Sequence, residues 1–128
     1  MTTDALTPAT LITVAPYSEA TPSGAIFGGW IMSQLDHAAG LAGRTISGGP
    51  VVIASIRELN FLAALFAGEA LSVHVKLTCK GSSSFNVAVN AFAKTGPEDR
   101  GIFRADVLLV AVDGDGKSRK FELSDASA

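Results

Sequence analysis

Apolar residues repeat at helical spacing between residues 28 and 44. Ile31, Leu35, Ala38 and Ala42 lie three or four positions apart, which predicts a helix with one apolar face turned to a core. Most of the other positions in this stretch are also apolar or small, so we expect other elements to enclose the helix on nearly every side.

Alternating apolar and polar residues predict that a run of antiparallel strands follows this helix. Strands are expected at residues 51–61, 71–80, 85–93 and 102–112, with a short strand at 10–14 before the helix. In the second of these, Cys79 falls on the apolar face and is expected in the core. The last is apolar on both faces in its second half, as in the middle of a sheet.

Turns are expected at residues 96–99 and 113–116, and the polar stretch 117–128 is expected to be frayed. The element order predicts an α+β fold in which a curved antiparallel sheet wraps a long central helix. A length of 128 residues is consistent with a single domain, with flexible ends at about residues 1–8 and 121–128.

Composition narrows the class of protein. Hydrophobic residues make up 48% of the chain and charged residues only 17%, which predicts a homo-oligomer that covers apolar surface by self-association. The net charge of −2 and the lack of a basic stripe argue against a nucleic-acid partner. The longest apolar runs are too short to span a membrane, which takes about 20 residues.

Cysteine and histidine usage points to a reducing compartment and to chemistry without a metal. Cys79 is the single cysteine, so neither an intrachain disulfide nor a thiolate cluster can form, and no signal peptide is evident. We therefore expect a cytoplasmic protein. With two histidines and no matching acids, no zinc site is expected, and no cofactor is implied.

Asp36 is the one carboxylate between Glu19 and Glu58. It lies inside an apolar, helix-like segment, where a charge loses hydration at a cost in free energy. An apolar residue of similar size would usually serve stability better, so Asp36 is the leading candidate for chemistry. The alternative is an acid that is satisfied by a partner across a subunit contact.

Residues 27–36 read FGGWIMSQLD and follow TPSG at residues 21–24. This block resembles the signature of hotdog-fold acyl-CoA thioesterases of the YciA-like group. The likeness spans roughly residues 10–120 and continues through VV at 51–52, NFL at 60–62, AGE at 67–69, GSSS at 81–84 and VAVD at 110–113.

The resemblance implies a hotdog fold and hydrolysis of acyl-CoA to the free acid and CoA. It also implies a homodimer as the minimal unit, active sites at the subunit interface, and often a higher assembly such as a tetramer or hexamer.

The residues are consistent with this chemistry on independent grounds. Gly28 and Gly29 at a helix N-terminus offer backbone N–H groups to a developing oxyanion. Asp36 comes eight residues later, roughly 12 Å along the helix axis, which is too far to share one carbonyl within a subunit. A two-fold pair of helices can bring Asp36 of one chain near the glycines of the other.

The resemblance assigns residue roles. Asp36 is the expected general base or nucleophile, and a backbone N–H of Gly28 or Gly29 the expected oxyanion donor. Ser33 and Gln34 are expected to orient Asp36 or the water. Thr21 stands where the family usually has an asparagine that contacts the thioester.

A second segment is expected to bind CoA. Gly81, Ser82, Ser83 and Ser84 resemble a CoA-contacting loop, with Ser82 at the place of a family arginine. Lys80, Lys117 or Arg119 is expected to supply the cation for the phosphates. A plain hairpin loop is the equal alternative for this segment.

Two other functions stay open. A non-catalytic acyl-CoA-binding protein is the first, because Thr21, Ala25 and Ser82 depart from the family pattern. A hydratase or dehydratase is the second, but it typically needs a histidine paired with an acid. His37 points about 100° away from Asp36 on the helix, and His74 lies on the polar face of its strand.

Overall fold

A computed structural model describes residues 7–95 and 98–123 and has one long helix and five strands among them. The elements in chain order are β1 (Leu11–Val14), α1 (Gly28–Ser47), β2 (Val51–Phe61), β3 (Ala70–Lys80), β4 (Ser84–Thr95) and β5 (Glu98–Ala111), with a short 3-10 turn at Tyr17–Glu19. Each predicted element is present, and the helix runs three residues beyond its predicted end at residue 44.

The five strands form one sheet in the order β1-β3-β4-β5-β2, and every neighbouring pair is antiparallel. β5 lies between β4 and β2, which confirms that it is an interior strand. Residues 98 and 99, predicted as part of a turn, begin β5, while residues 96 and 97 lie outside the described part of the chain. The predicted turn at residues 113–116 is present, closed by the Gly116 amide donating to the Asp113 carbonyl at 3.0 Å.

The core lies between one face of α1 and one face of the sheet. Ile31, Leu35, Ala38 and Ala39 are buried on the helix, as its spacing predicts, and α1 contacts all five strands. Phe85 and Phe103 are fully buried on the facing strands. The sheet therefore wraps the helix, and burial of this apolar stripe is what holds the two layers together.

The expectation that α1 is enclosed on nearly every side is wrong for the single chain. Met32 is 41% exposed and Leu41 51% exposed, and the side chains of Asp36, His37 and Arg44 are exposed along the same side. The cause is geometric, since a single sheet covers one face of a helix and the other face has no second layer.

Cys79 is exposed, although alternation placed it in the core. The register of β3 against β4 steps from Leu77 opposite Val87 to Cys79 opposite Asn86, so β3 carries one extra residue there. A bulge of this kind reverses the inward and outward alternation of the strand beyond it. The last residues of β3 therefore face away from the side that the pattern predicted.

The segment after β5 packs on the domain as far as residue 121, which corrects the expectation of fraying from residue 117. Phe121 is buried, and its ring meets Phe85 edge-on at 5.2 Å between centroids. The Arg119 amide donates to the Ala111 carbonyl at 2.8 Å. Phe121 and Arg119 thus anchor this polar stretch, while residues 124–128, also predicted to be flexible, lie outside the described chain.

Replacing Gly43 by alanine is expected to lower the free energy of unfolding by about 1 to 3 kcal/mol, because it overpacks the contact between helix and sheet. A Cβ at this position would lie 2.8 Å from Cγ2 of Val51 and 3.1 Å from Cδ1 of Leu109. The control is Gly114→Ala, in an exposed turn where a Cβ would meet nothing within 4 Å. That control is expected to change the free energy of unfolding by less than about 0.5 kcal/mol. Urea unfolding of both variants measures the difference, and equal effects would contradict the packing argument.

Candidate active site

The N-terminus of α1 presents unpaired backbone amides to solvent. Phe27 precedes the helix and provides no side-chain cap, and the first turn contains no acidic residue. Within residues 7–95 and 98–123, the amides of Gly28 and Gly29 have no hydrogen-bond acceptor. Nothing lies within 4 Å of where their Cβ atoms would be, so a ligand atom can approach closely. The positive end of the helix dipole and two unpaired donors suit an anionic oxygen.

An apolar depression of about 360 Å³ opens beside these amides. Its wall is built from the start of α1, the end of β2 and the segment that follows β2. The lining residues are Ala25, Ile26, Gly28, Ile31, Phe61, Leu62, Ala63, Ala64 and Leu65. A hydrocarbon group fits such a lining, with its polar end at the helix N-terminus.

Asp36 lies in a second depression of about 440 Å³, in the middle of the exposed side of α1. Its side chain is exposed in the single chain, so the expected loss of hydration is wrong for an isolated subunit. Arg44, His37 and Gly40 share the depression. The two depressions have no lining residue in common, which agrees with the predicted separation of Asp36 from Gly28 within one chain.

Ser33 and Gln34 bond to each other and to the helix backbone. The Ser33 hydroxyl donates to the Trp30 carbonyl at 2.7 Å, and Nε2 of Gln34 lies 3.1 Å from Oγ of Ser33 and 3.3 Å from the same carbonyl. Gln34 is buried. Of the described residues, neither of these two is hydrogen-bonded to Asp36, so their expected role in orienting that carboxylate has no direct contact behind it.

Thr21 sits in a tight turn before α1 and lines neither depression. Its amide donates to the Ala25 carbonyl at 2.7 Å, and its hydroxyl lies 3.0 Å from the Ser23 hydroxyl. Gly24 allows the turn with a φ of 93°. Thr21 therefore shapes the approach to Ala25, one of the residues that line the apolar depression.

The predicted CoA loop joins β3 to β4 at the other end of the sheet. The Gly81 amide donates to the Ser84 carbonyl at 2.7 Å, and the Ser82 and Ser83 carbonyls accept from the Phe121 and Ala111 amides at 3.2 and 2.8 Å. The backbone of the loop is thus fixed from both sides.

Lys80 stands beside this loop. Its ammonium group lies 4.2 Å from the centroid of the Phe121 ring and donates to the Gly81 carbonyl at 2.7 Å. A cation over an aromatic face is attracted by the ring quadrupole. Lys80 therefore lies beside the loop of Gly81, Ser82, Ser83 and Ser84, and the assignment of these residues to CoA stays a prediction.

The guanidinium of Arg119 is bonded to the protein itself, which weighs against its expected role as a cation for phosphate. Its guanidinium donates to the carbonyls of Val112, Ser47 and Pro50 at 2.9, 3.0 and 3.1 Å, and to the Ser47 hydroxyl at 3.1 Å. These contacts occupy most of its five N–H donors. Arg119 joins the end of α1 to the segment after β5 and has little capacity left for a ligand.

Arg44 is the functional candidate that sequence reasoning missed. It is exposed and lines the Asp36 depression. Asp36, Gly40 and Arg44 are spaced by four residues, so they form one stripe on the helix surface. That spacing is visible in the sequence and identifies the only cation on this stripe within α1.

Two structural features are absent from the described part of the chain. No group of three or more His, Cys, Asp or Glu side chains is placed to hold a metal ion there. Its helices fall short of the length and hydrophobicity that a membrane span requires.

Comparison with known proteins identifies the chain as a thioesterase of the hotdog type. Residues 23–99 match the Thioesterase superfamily, and the chain belongs to that family. The predicted hotdog fold is confirmed by solved thioesterase structures with the same arrangement of helix and sheet.

Particular relatives narrow the class. The acyl-CoA thioester hydrolase YciA of Salmonella typhimurium is 31% identical over 114 residues, which cover 85% of this chain and 86% of the relative. HI0827, a hexameric broad-specificity acyl-coenzyme A thioesterase solved as an aspartate-to-alanine mutant, superposes with a TM-score of 0.87 at 29% identity, covering 93% of this chain and 89% of the other. A hexameric hotdog-fold thioesterase of Campylobacter jejuni superposes with a TM-score of 0.83 at 33% identity, covering 89% of this chain and 90% of the other. The predicted resemblance to the YciA-like group is thereby confirmed.

Arg119→Lys is expected to lower the free energy of unfolding by about 1 to 3 kcal/mol, because the three N–H donors of one ammonium group cannot satisfy all four acceptors that the guanidinium contacts. Lys120→Ala is the matched control, since Lys120 is exposed and adjacent. Thermal and urea unfolding of the two variants measure the effect. A large change in KM for acyl-CoA with unchanged stability in Arg119→Lys would instead return Arg119 to the substrate site.

Proposed function

We propose that this chain hydrolyses acyl-CoA thioesters at a site that two copies of the chain form together. Its family and the named activity of its relatives support the reaction. The observation that carries the composite site is that Asp36 and the Gly28 amide belong to one helix but line separate depressions. A second α1, related by a two-fold axis, can place its Gly28 amide near Asp36 of the first chain and its Asp36 near the Gly28 amide of the first chain.

In this proposal, the Gly28 or Gly29 amide of one subunit donates to the thioester carbonyl oxygen. Negative charge develops on that oxygen in the transition state, so donors fixed there lower the barrier more than they stabilise bound substrate. The helix holds both amides in place before the substrate arrives, and no reorganisation is needed.

Asp36 of the other subunit acts on the carbonyl carbon in one of two ways. As a general base, it takes a proton from water while the water oxygen bonds to the carbon. As a nucleophile, it forms an acyl-enzyme anhydride that water then hydrolyses. In both, the carbon–sulfur bond breaks, CoA leaves as the thiol once protonated, and the acid is released.

The acyl chain enters the apolar depression beside Gly28, because its lining has no charged side chain and the carbonyl then falls at the helix N-terminus. The CoA phosphates are assigned to the loop of Gly81, Ser82, Ser83 and Ser84, with Lys80 as the cation. Lys80 is held beside that loop by Phe121 and the Gly81 carbonyl. Arg119 is removed from this assignment.

A homodimer is the smallest active unit in this proposal, and a hexamer is the assembly that we expect. The exposed apolar residues along α1, Met32 and Leu41, support a subunit contact. The hexameric assemblies of HI0827 and of the Campylobacter jejuni thioesterase are consistent with the higher state. The exposed single thiol of Cys79 suits the reducing cytoplasm, where we place the protein.

Asp36→Asn is expected to lower kcat for acyl-CoA hydrolysis by about a hundredfold to ten-thousandfold, the usual contribution of a general base. Release of free thiol from a panel of acyl-CoAs measures it. Asp115→Asn is the matched control, because it makes the same change in an exposed turn.

The same panel decides between the alternatives. Binding of acyl-CoA without thiol release from the wild-type protein would support a non-catalytic binding protein. Hydration of an enoyl-CoA without thiol release would support a hydratase. Full activity in Asp36→Asn would overturn the role of this carboxylate while leaving the reaction intact.

Mixing two inactive variants is expected to restore activity if the site combines two chains. The first variant is Asp36→Ala, and the second is whichever of Gly28→Pro and Gly29→Pro is folded and inactive. Proline removes the amide donor and is tolerated in the first turn of a helix. Random pairing of the two chains regenerates roughly a quarter of the wild-type sites, by the symmetry of a two-fold dimer.

Thiol release after co-refolding the two variants at equal concentrations provides the measurement, with each variant refolded alone as the control. No recovery from verified mixed dimers would place the whole site within one chain. Wild-type activity in both proline variants would exclude the glycine amides as oxyanion donors.

A further inference from the structure

Residues 62–66 form one wall of the apolar depression without belonging to a strand. They follow β2 and contribute Leu62, Ala63, Ala64 and Leu65 to the lining. Apart from Leu65, which is fully buried, these side chains are small or exposed. Apolar packing therefore fixes this wall mainly at Leu65, with Ala63 partly buried against the core, and the rest of its position depends on polar contacts.

Glu69 and Arg100 provide those contacts through a two-pronged ion pair. Oε1 of Glu69 lies 2.7 Å from NH2 of Arg100, and Oε2 lies 3.2 Å from NH1. The side chains are only 15% and 35% exposed, respectively, so solvent screens the pair less than a fully exposed one. A bidentate contact between a guanidinium and a carboxylate fixes the relative orientation of the two side chains as well as their distance.

Both partners also bond to the backbone of the wall. NH2 of Arg100 donates to the Ala64 carbonyl at 2.8 Å, and the Phe66 amide donates to Oε1 of Glu69 at 2.8 Å. The two contacts lie on either side of Leu65. The ion pair therefore holds the wall at two points and ties it to β5.

The same wall is bonded to the segment that enters α1. The Leu65 carbonyl accepts from the Ile26 amide at 2.8 Å, and Ala25 pairs with Phe66 in an antiparallel bridge. Ile26 comes two residues before Gly28. A displacement of the wall is thus transmitted to the helix N-terminus through two backbone contacts.

We infer that the Glu69–Arg100 pair is a positioning device that sets the acyl-chain selectivity of the site and the placement of the Gly28 amide. This inference rests on the proposed thioesterase function. Neither residue touches the substrate in it; both act through the wall at residues 62–66 and through Ile26.

The test compares Glu69→Ala with Asp99→Ala. Asp99 forms a weaker ion pair, to Lys94, in which the contact is 3.7 Å long and the side chains are 70% (Lys94) and 40% (Asp99) exposed. Asp99 precedes Arg100 in β5, so the control removes a carboxylate from the same strand without touching the wall. Measurements are kcat and KM for acyl-CoAs from four to sixteen carbons, together with the melting temperature.

Glu69→Ala is expected to lower kcat roughly tenfold, because small misplacements of a reacting carbonyl cost rate steeply. It is also expected to flatten the dependence of kcat/KM on chain length, since a loosened wall no longer defines the length of the cavity. The kcat of Glu69→Gln is expected to lie between those of the wild type and Glu69→Ala, because the glutamine amide oxygen can still accept from the Phe66 amide. Asp99→Ala is expected to keep the wild-type profile.

A lower melting temperature with unchanged kcat and chain-length profile in Glu69→Ala would overturn the inference and leave Glu69 a purely structural residue. If that variant does not fold, Arg100→Lys decides, because it keeps the charge but loses the simultaneous contact to the Ala64 carbonyl. A wild-type profile in folded Arg100→Lys overturns the inference. Absence of thiol release from the wild-type protein would instead reject the proposed function itself.

Discussion

One face of α1 packs against all five strands, and this contact fixes the position of the helix and determines which of its residues stay exposed. A helix of 20 residues buries its apolar stripe on one sheet and leaves the opposite side uncovered. The buried side fixes the helix as a rigid body, with Gly43 tight against Val51. The uncovered side carries Asp36 and Arg44. In the proposed mechanism, stability and chemistry thus occupy opposite faces of a single element.

That helix positions both groups of the proposed reaction centre, the oxyanion donors and the carboxylate. The Gly28 and Gly29 amides lie in its first turn and Asp36 in its third. The entry to that first turn is also bonded to the wall at residues 62–66, through the Ile26 amide and the Leu65 carbonyl. The rigidity of the helix keeps the glycine amides and Asp36 apart within one chain. What remains adjustable is the wall at residues 62–66, which is held by Glu69 and Arg100 and borders the cavity on its non-helical side.

Periodicity predicted the helix, the strands and the interior position of β5, because each follows from side-chain spacing along a regular element. The exposure of Cys79 was not predictable, since one extra residue in β3 shifts the register and leaves no mark in composition. Arg119 was read as a ligand for phosphate because charge is visible in a sequence, whereas the carbonyls that it contacts are brought together only by the fold. Arg44 could have been found from its spacing to Asp36.

Because Asp36 is exposed in the single chain, the proposed reaction requires a second subunit to exclude water from this carboxylate. A carboxylate in water is a weak base, and amide donors in water lose most of their advantage to competing solvent. The exposed depression around Asp36 becomes a low-dielectric site only when another surface excludes water from it. In the proposed dimer, a second copy covers the exposed side of α1, removes that water and, by the two-fold symmetry, delivers its own glycine amides. In this proposal, subunit association and creation of the catalytic environment are therefore one event.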